Sequence, residues 1–133
     1  MPIVFNKVKR ANPLDRTLPE KVFPTLKTLS QVGEKEVAKE ISEETTLNPR
    51  EAEMALGQFQ KVLARNLLAS NSVRLGDWGS FHLTCHSEGS DTKEEVTAGN
   101  IKSLNIRFVP GKALKNALKE ATFIFAEDIV TGK

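Results

Sequence analysis

Three lysines, Lys112, Lys115 and Lys119, stand at spacings i, i+3 and i+7 in the segment GKALKNALK. On a helix this spacing puts the three ammonium groups on one face, with Leu114, Ala117 and Leu118 on the opposite side. Gly111 precedes them, at a helix start whose backbone N–H groups would be free to attract anions. A row of ammonium groups beside such a terminus can follow a phosphate backbone. The same spacing also describes an ordinary solvated lysine face. Arg107 and Lys102 lie just upstream, and Lys7, Lys9 and Arg10 cluster near the other end of the chain.

Other chemistries find less support. His82, Cys85 and His86 invite a metal reading, but in a strand the two histidines stand about 13 Å apart at ~3.3 Å per residue. Cys85 would face away from both, so no metal ligands are expected. Ser80 and His82 share a strand face without an orienting acid, and no glycine-rich phosphate loop of the P-loop or dinucleotide type occurs. Catalytic residues, cofactors and a small-molecule substrate are therefore not expected. Cys85 is the single cysteine, which excludes an internal disulfide and makes a cytoplasmic protein the default. No run of about 20 apolar residues suits a membrane helix, and the N-terminus shows no apolar leader core or small-residue cleavage site. Tyr is absent and Trp occurs once, so aromatic base-stacking platforms are expected to be scarce. Trp78, between Gly76 and Gly79, reads as a core cap at a sheet bend rather than an exposed contact residue.

Charge is distributed unevenly along the 133 residues, although the net value is only +2. Residues 1–27 carry six basic side chains against two acidic ones, for +4. Residues 86–100 carry Glu88, Asp91, Glu94 and Glu95 against Lys93, for −3. Residues 102–119 carry five basic side chains and no acid, for +5.

The elements that must position these groups follow from period and punctuation. Pro2, Pro13, Pro19 and Pro24 break helices in residues 1–32, leaving Ile3–Val8 and Val22–Leu26 as β-prone pieces, expected at sheet edges. A helix is predicted from about Glu34 to Glu43. A second starts at the cap Asn48-Pro49, with Glu51 completing a capping box, and runs to about Ala69, roughly 30 Å at 1.5 Å per residue. Its apolar stripe (Ala52, Ala55, Leu56, Phe59, Leu63, Leu67) is broad enough to suggest cover from a partner chain. Strands are then predicted at Val73–Leu75, around Phe81–Leu83 and along the returning segment from Ile101 to Phe108, with a polar tip at Ser87–Gly99. Pro110–Gly111 stops the last strand and a short helix follows to about Ala121. The tail Phe123–Val130 suits either one more strand or a docked segment.

With these elements in order, residues 30–121 resemble the HU/IHF family of bacterial histone-like DNA-binding proteins. GEKEVAKEI with LNPREAEMALGQFQKVLARNL is similar to the family's helical pair. VRLGDWGSFHL resembles its signature strand–turn–strand through Gly76, Gly79 and Phe81, and RFVPGKALKNAL its closing strand and helix through Phe108, Gly111, Lys112, Leu114 and Lys115. The resemblance implies an α+β fold with an N-terminal helical pair, an antiparallel sheet with a protruding β-arm and a short C-terminal helix. It implies an intertwined homodimer that bends double-stranded DNA through its arms, largely without sequence preference, in the bacterial nucleoid. Lys112 and Lys115 match positions whose counterparts touch phosphate. The arm departs from the family's pattern: residues 86–103 hold no arginine and no proline wedge, and carry the acidic tip. The added N-terminus and divergent arm look most like the HU-related proteins of Bacteroides-type bacteria. The expected division is an extension at 1–32, an HU-like domain at 33–121 and a tail at 122–133. The leading expectation is a non-enzymatic DNA-binding protein with contacts at Lys112, Lys115, Lys119, Arg107, Lys102, Lys7, Lys9 and Arg10. The alternative is a protein-interaction module that kept the scaffold and lost DNA.

Overall fold

The computed structural model describes residues 2–131; Met1 and the last two residues of the expected tail lie outside the described residues. In chain order the elements are β1 (Ile3–Arg10), β2 (Lys21–Leu26), α1 (Glu34–Glu44), α2 (Pro49–Leu68), β3 (Val73–Leu75), β4 (Gly79–Ser87), β5 (Ile101–Pro110), α3 (Lys112–Lys119), β6 (Phe123–Phe125) and α4 (Ala126–Thr131). This is an α+β arrangement of the expected HU-like kind. The chain forms two compact units. One comprises the first 32 residues with the chain from Lys119 onward, and the other is Gly33–Leu118.

In the larger unit the helical pair begins where the caps dictate. The Glu51 N–H donates to Asn48 Oδ1 at 2.8 Å and Asn48 Nδ2 donates to Glu51 Oε1 at 2.6 Å, so cap and third helical residue satisfy each other. Pro49 occupies the first helical position, where its missing N–H costs nothing. α1 packs on α2 through the buried Ala38 and Ala52, two small side chains that let the helices approach closely. The three strands form an antiparallel sheet in the order β3-β4-β5. Leu67, at the last turn of α2, is buried.

In the smaller unit β1 pairs antiparallel with β2 and parallel with β6, in the order β2-β1-β6. The expectation that Ile3–Val8 would be an edge strand is therefore corrected: β1 is central, because the tail returns as β6 and pairs Ile3, Val4 and Phe5 with Phe123, Ile124 and Phe125. β2 is an edge strand and carries Pro24, whose ring nitrogen can donate no ladder bond. α4 packs back on β6 and β1, and among the described residues of this unit Val4 is the buried side chain.

Candidate nucleic-acid interface

α3 is seated on the turn between β3 and β4. The Gly111 N–H donates to the Trp78 carbonyl at 2.8 Å and the Ala113 N–H to the Asp77 carbonyl at 3.0 Å. A Cβ at position 111 would overlap the Asp77 carbonyl, so only glycine admits this close approach. Gly79 is constrained in the same way from the sheet side: a Cβ there would come within 2.5 Å of the Phe108 ring. Of the backbone N–H groups expected to be free for anions at the start of this helix, those of Gly111 and Ala113 are thus taken, because carbonyls of the turn cap them.

An aromatic cluster holds the seat in place. Trp78 and Phe81 lie 4.9 and 5.0 Å from Phe108 by ring centroids, and Phe59 of α2 lies 6.5 Å from Phe81. Such pairs contribute about 0.5–1.5 kcal/mol each beyond the area they bury. Trp78 packs on this cluster yet stays 46% exposed, so it is both a partner of the aromatic rings and a surface residue.

The β4–β5 register sorts side chains between two faces. Phe81 opposes Phe108 and Leu83 opposes Ile106 on the aromatic face, whereas His82 opposes Arg107 on the other. Arg74 opposes Ser80 and so shares the face of Arg107. A notch of 480 Å³ on this side is lined by Ser72, Arg74, Ser80, His82 and Lys112, among others. Arg74 was missed in reading the sequence. Its signal was available, because the apolar Val73 and Leu75 flanking it turn it outward at period two. Asp77 lies 3.8 Å from Arg74, an exposed pair of the weak kind. Ser80 Oγ and His82 Nε2 are hydrogen-bonded at 2.9 Å. Among the described residues no group of three or more His, Cys, Asp or Glu side chains could hold a metal ion.

The remaining expected contacts are spread out. Lys112, Lys115 and Lys119 are all exposed along α3. Lys102 lies 3.6 Å from Glu88 across the hairpin, so an acidic neighbour partly offsets its charge. Lys7, Lys9 and Arg10 belong to the smaller unit and are exposed on β1, where Lys7 Nζ lies 4.2 Å from the centroid of the Phe125 ring.

Beyond a register shift at His86/Ser87, the hairpin ends in two single turns of 3-10 helix, Lys93–Glu95 and Ala98–Asn100. Asn100 organises this tip. Its Nδ2 donates to the Glu88 carbonyl at 2.8 Å and to Ser90 Oγ at 2.9 Å, and its Oδ1 accepts from the Thr97 N–H at 2.8 Å. The four acids of the tip are all exposed.

A helical pair, a three-stranded antiparallel sheet with a long hairpin, and a short lysine-bearing helix locked to the strand turn define an HU-like protein. The chain belongs to the HU-HIG family, described as an HU domain fused to a wHTH, Ig or glycine-rich motif, whose profile matches residues 1–124. The expected kinship with HU-related proteins of the Bacteroides type is borne out. Among solved structures, the chain is similar in fold to a Bacteroides vulgatus protein described as a candidate bacterial DNA-binding protein, with a TM-score of 0.64 and 14% identity. That match covers 93% of this chain and 48% of the other, so this chain spans about half the length of that relative. Among curated proteins none matches. No helix among the described residues is long and apolar enough to cross a membrane.

Proposed function

We propose that this protein is a non-enzymatic, architectural binder of double-stranded DNA in the bacterial nucleoid and cytoplasm, with residues 33–121 as its HU-like DNA-binding domain. The observation that carries the reading is the run 102–119, five basic side chains without an acid, ending in a helix whose three lysines are exposed. Lys112, Lys115, Lys119 and Arg107 contact phosphates, with Arg74 added from the notch it shares with Lys112. Lys102, Lys7, Lys9 and Arg10 add to the attracting field. Binding is mainly sequence-independent, because ammonium and guanidinium groups on phosphates report position rather than base identity. Family membership supports the reading, as does the description of the Bacteroides vulgatus relative.

The working form is a homodimer. In the larger unit the buried apolar side chains are Ala38, Ala52 and Leu67, while Leu68, Ile106 and Leu104 are 75%, 64% and 56% exposed. Apolar surface on this scale is stable in water when a second copy covers it.

The test is a salt-titrated shift assay on linear and pre-bent duplex DNA. Steep salt dependence is expected, and Lys112/Lys115/Lys119→Glu should abolish binding. No binding to either DNA at about 50 mM salt, where phosphate contacts are strong, sinks the reading. A second reading, in which the hairpin engages a basic protein surface, draws on the Asn100-ordered tip with its net −3. Co-purification of a protein partner that survives nuclease treatment would favour it.

A further inference from the structure

We propose that the open face of the β2-β1-β6 sheet is a stacking platform for a short single-stranded stretch of nucleic acid. The register puts Ile3, Phe5, Lys7 and Lys9 of β1 on one face, with Leu26, Pro24 and Val22 of β2 and Phe123 and Phe125 of β6 beside them. Val4, the buried side chain, points to the opposite face. On the open face a groove of 540 Å³ is lined by Phe5, Lys7, Val22, Leu26 and Phe123, among others. Phe123 is 61% exposed and Leu26 66%. The exposed Phe123 ring continues into the half-buried Phe5 and Phe125, an apolar surface rimmed by two ammonium groups.

Charge and hydrogen bonding select the occupant. A second copy laid face to face with its two-fold axis near the middle of β1 would bring Lys7 and Lys9 close to their own counterparts, a like-charge contact that opposes self-association. Lysine is the only polar side chain type that the paired residues of this face present, so a peptide backbone laid across it would leave N–H and C=O groups without partners. Strand addition at the β2 edge meets Pro24, which lacks an N–H. A nucleobase needs no hydrogen bond for its π-face, and the phosphate beside it meets the lysines. The cation held over the Phe125 ring shows that the face already pairs positive charge with aromatic surface. The platform goes beyond duplex binding by α3 and is separable from it: Phe123 lies in the smaller unit, and Lys112 and Lys115 in the larger.

The experiment is fluorescence anisotropy of the full chain with a labelled oligothymidylate of about 10 nucleotides, beside a duplex probe. Phe123→Leu keeps the site apolar and removes the ring; it should weaken strand binding about tenfold and leave duplex binding unchanged. Lys7→Gln with Lys9→Gln should lower the salt slope for the strand by about 0.7 per lysine. Lys112→Glu with Lys115→Glu, both in the larger unit, should lose the duplex and keep the strand. In the unsubstituted protein, the oligothymidylate should shift the ring resonances of Phe5 and Phe123, a readout that does not depend on any variant folding. Equal affinity for an abasic strand, undiminished binding by Phe123→Leu, unmoved ring resonances, or preference for a polyglutamate peptide would each overturn the proposal. Duplex binding without strand binding removes this inference alone, and strand binding without duplex binding removes the duplex reading alone.

Discussion

The two ends of the β4–β5 hairpin are built on different principles. At its base, Gly79, Phe81, Phe108 and Gly111 interlock so closely that a single added carbon has no room. At its tip, from Ser87 to Ile101, every described side chain is exposed or nearly so, and order comes from one asparagine and two short turns. The base transmits shape: it sets the angle at which α3 presents its lysines. The tip transmits charge, and its net −3 has the same sign as a phosphate backbone and would repel it. A hairpin can therefore keep the scaffold of a DNA-binding family at one end while diverging freely at the other, because side chains at the tip touch little else.

Substitutions can break that contrast. The largest effect is expected at the base. Gly111→Val should cost more than about 3 kcal/mol, because the new side chain overlaps the Asp77 carbonyl and removes the seat of α3. Chemical denaturation reads this directly, and a loss under about 1 kcal/mol would mean that the seat yields. Phe108→Ala follows at about 3 kcal/mol, through lost ring contacts with Trp78 and Phe81. Reversing the tip, with Glu88, Glu94 and Glu95 changed to Lys, should leave the melting temperature nearly unchanged and sharpen the comparison through DNA. If the tip lies near phosphates, the salt slope rises by about one for each phosphate that a new lysine neutralises; an unchanged slope places the tip away from DNA. The smallest effect belongs to Asn100→Ala. It should cost about 1 kcal/mol locally, visible as faster amide exchange at Thr97, whose N–H loses its acceptor, with little change in global unfolding.

Much of this was legible in the residues. The start of α2 is written in Asn48, Pro49 and Glu51, since capping involves groups within one helical turn. β3, its turn and the alternation of Phe81 and Leu83 follow from glycine placement and period two. Gly76, Gly79, Phe81, Phe108, Gly111 and Lys112, in order, sufficed to indicate the family. The lysine stripe was also legible. The helix terminus read beside it is only partly free, because the carbonyls of Asp77 and Trp78 reach back to occupy the N–H groups of Ala113 and Gly111 across a gap of more than thirty residues. The outward turn of Arg74 was legible from Val73 and Leu75 on either side of it, but its place beside Ser80 and Lys112 comes from the fold.

What the sequence by itself determined, then, is the set of elements, their caps and turns, the charge each segment carries and the HU-like order in which they come. These depend on neighbours a few residues apart, where hydrogen-bond geometry and side-chain period leave few choices. Only the tertiary structure decided that the two ends of the chain share one sheet, with Phe123, Ile124 and Phe125 beside Ile3, Val4 and Phe5. It also decided that β1 is central rather than an edge and that an aromatic face remains open beside Lys7. A three-residue strand such as β6 has no local signal strong enough to name its partner. The pairing is chosen by apolar surface that must find cover, and that surface comes from the opposite end of the chain.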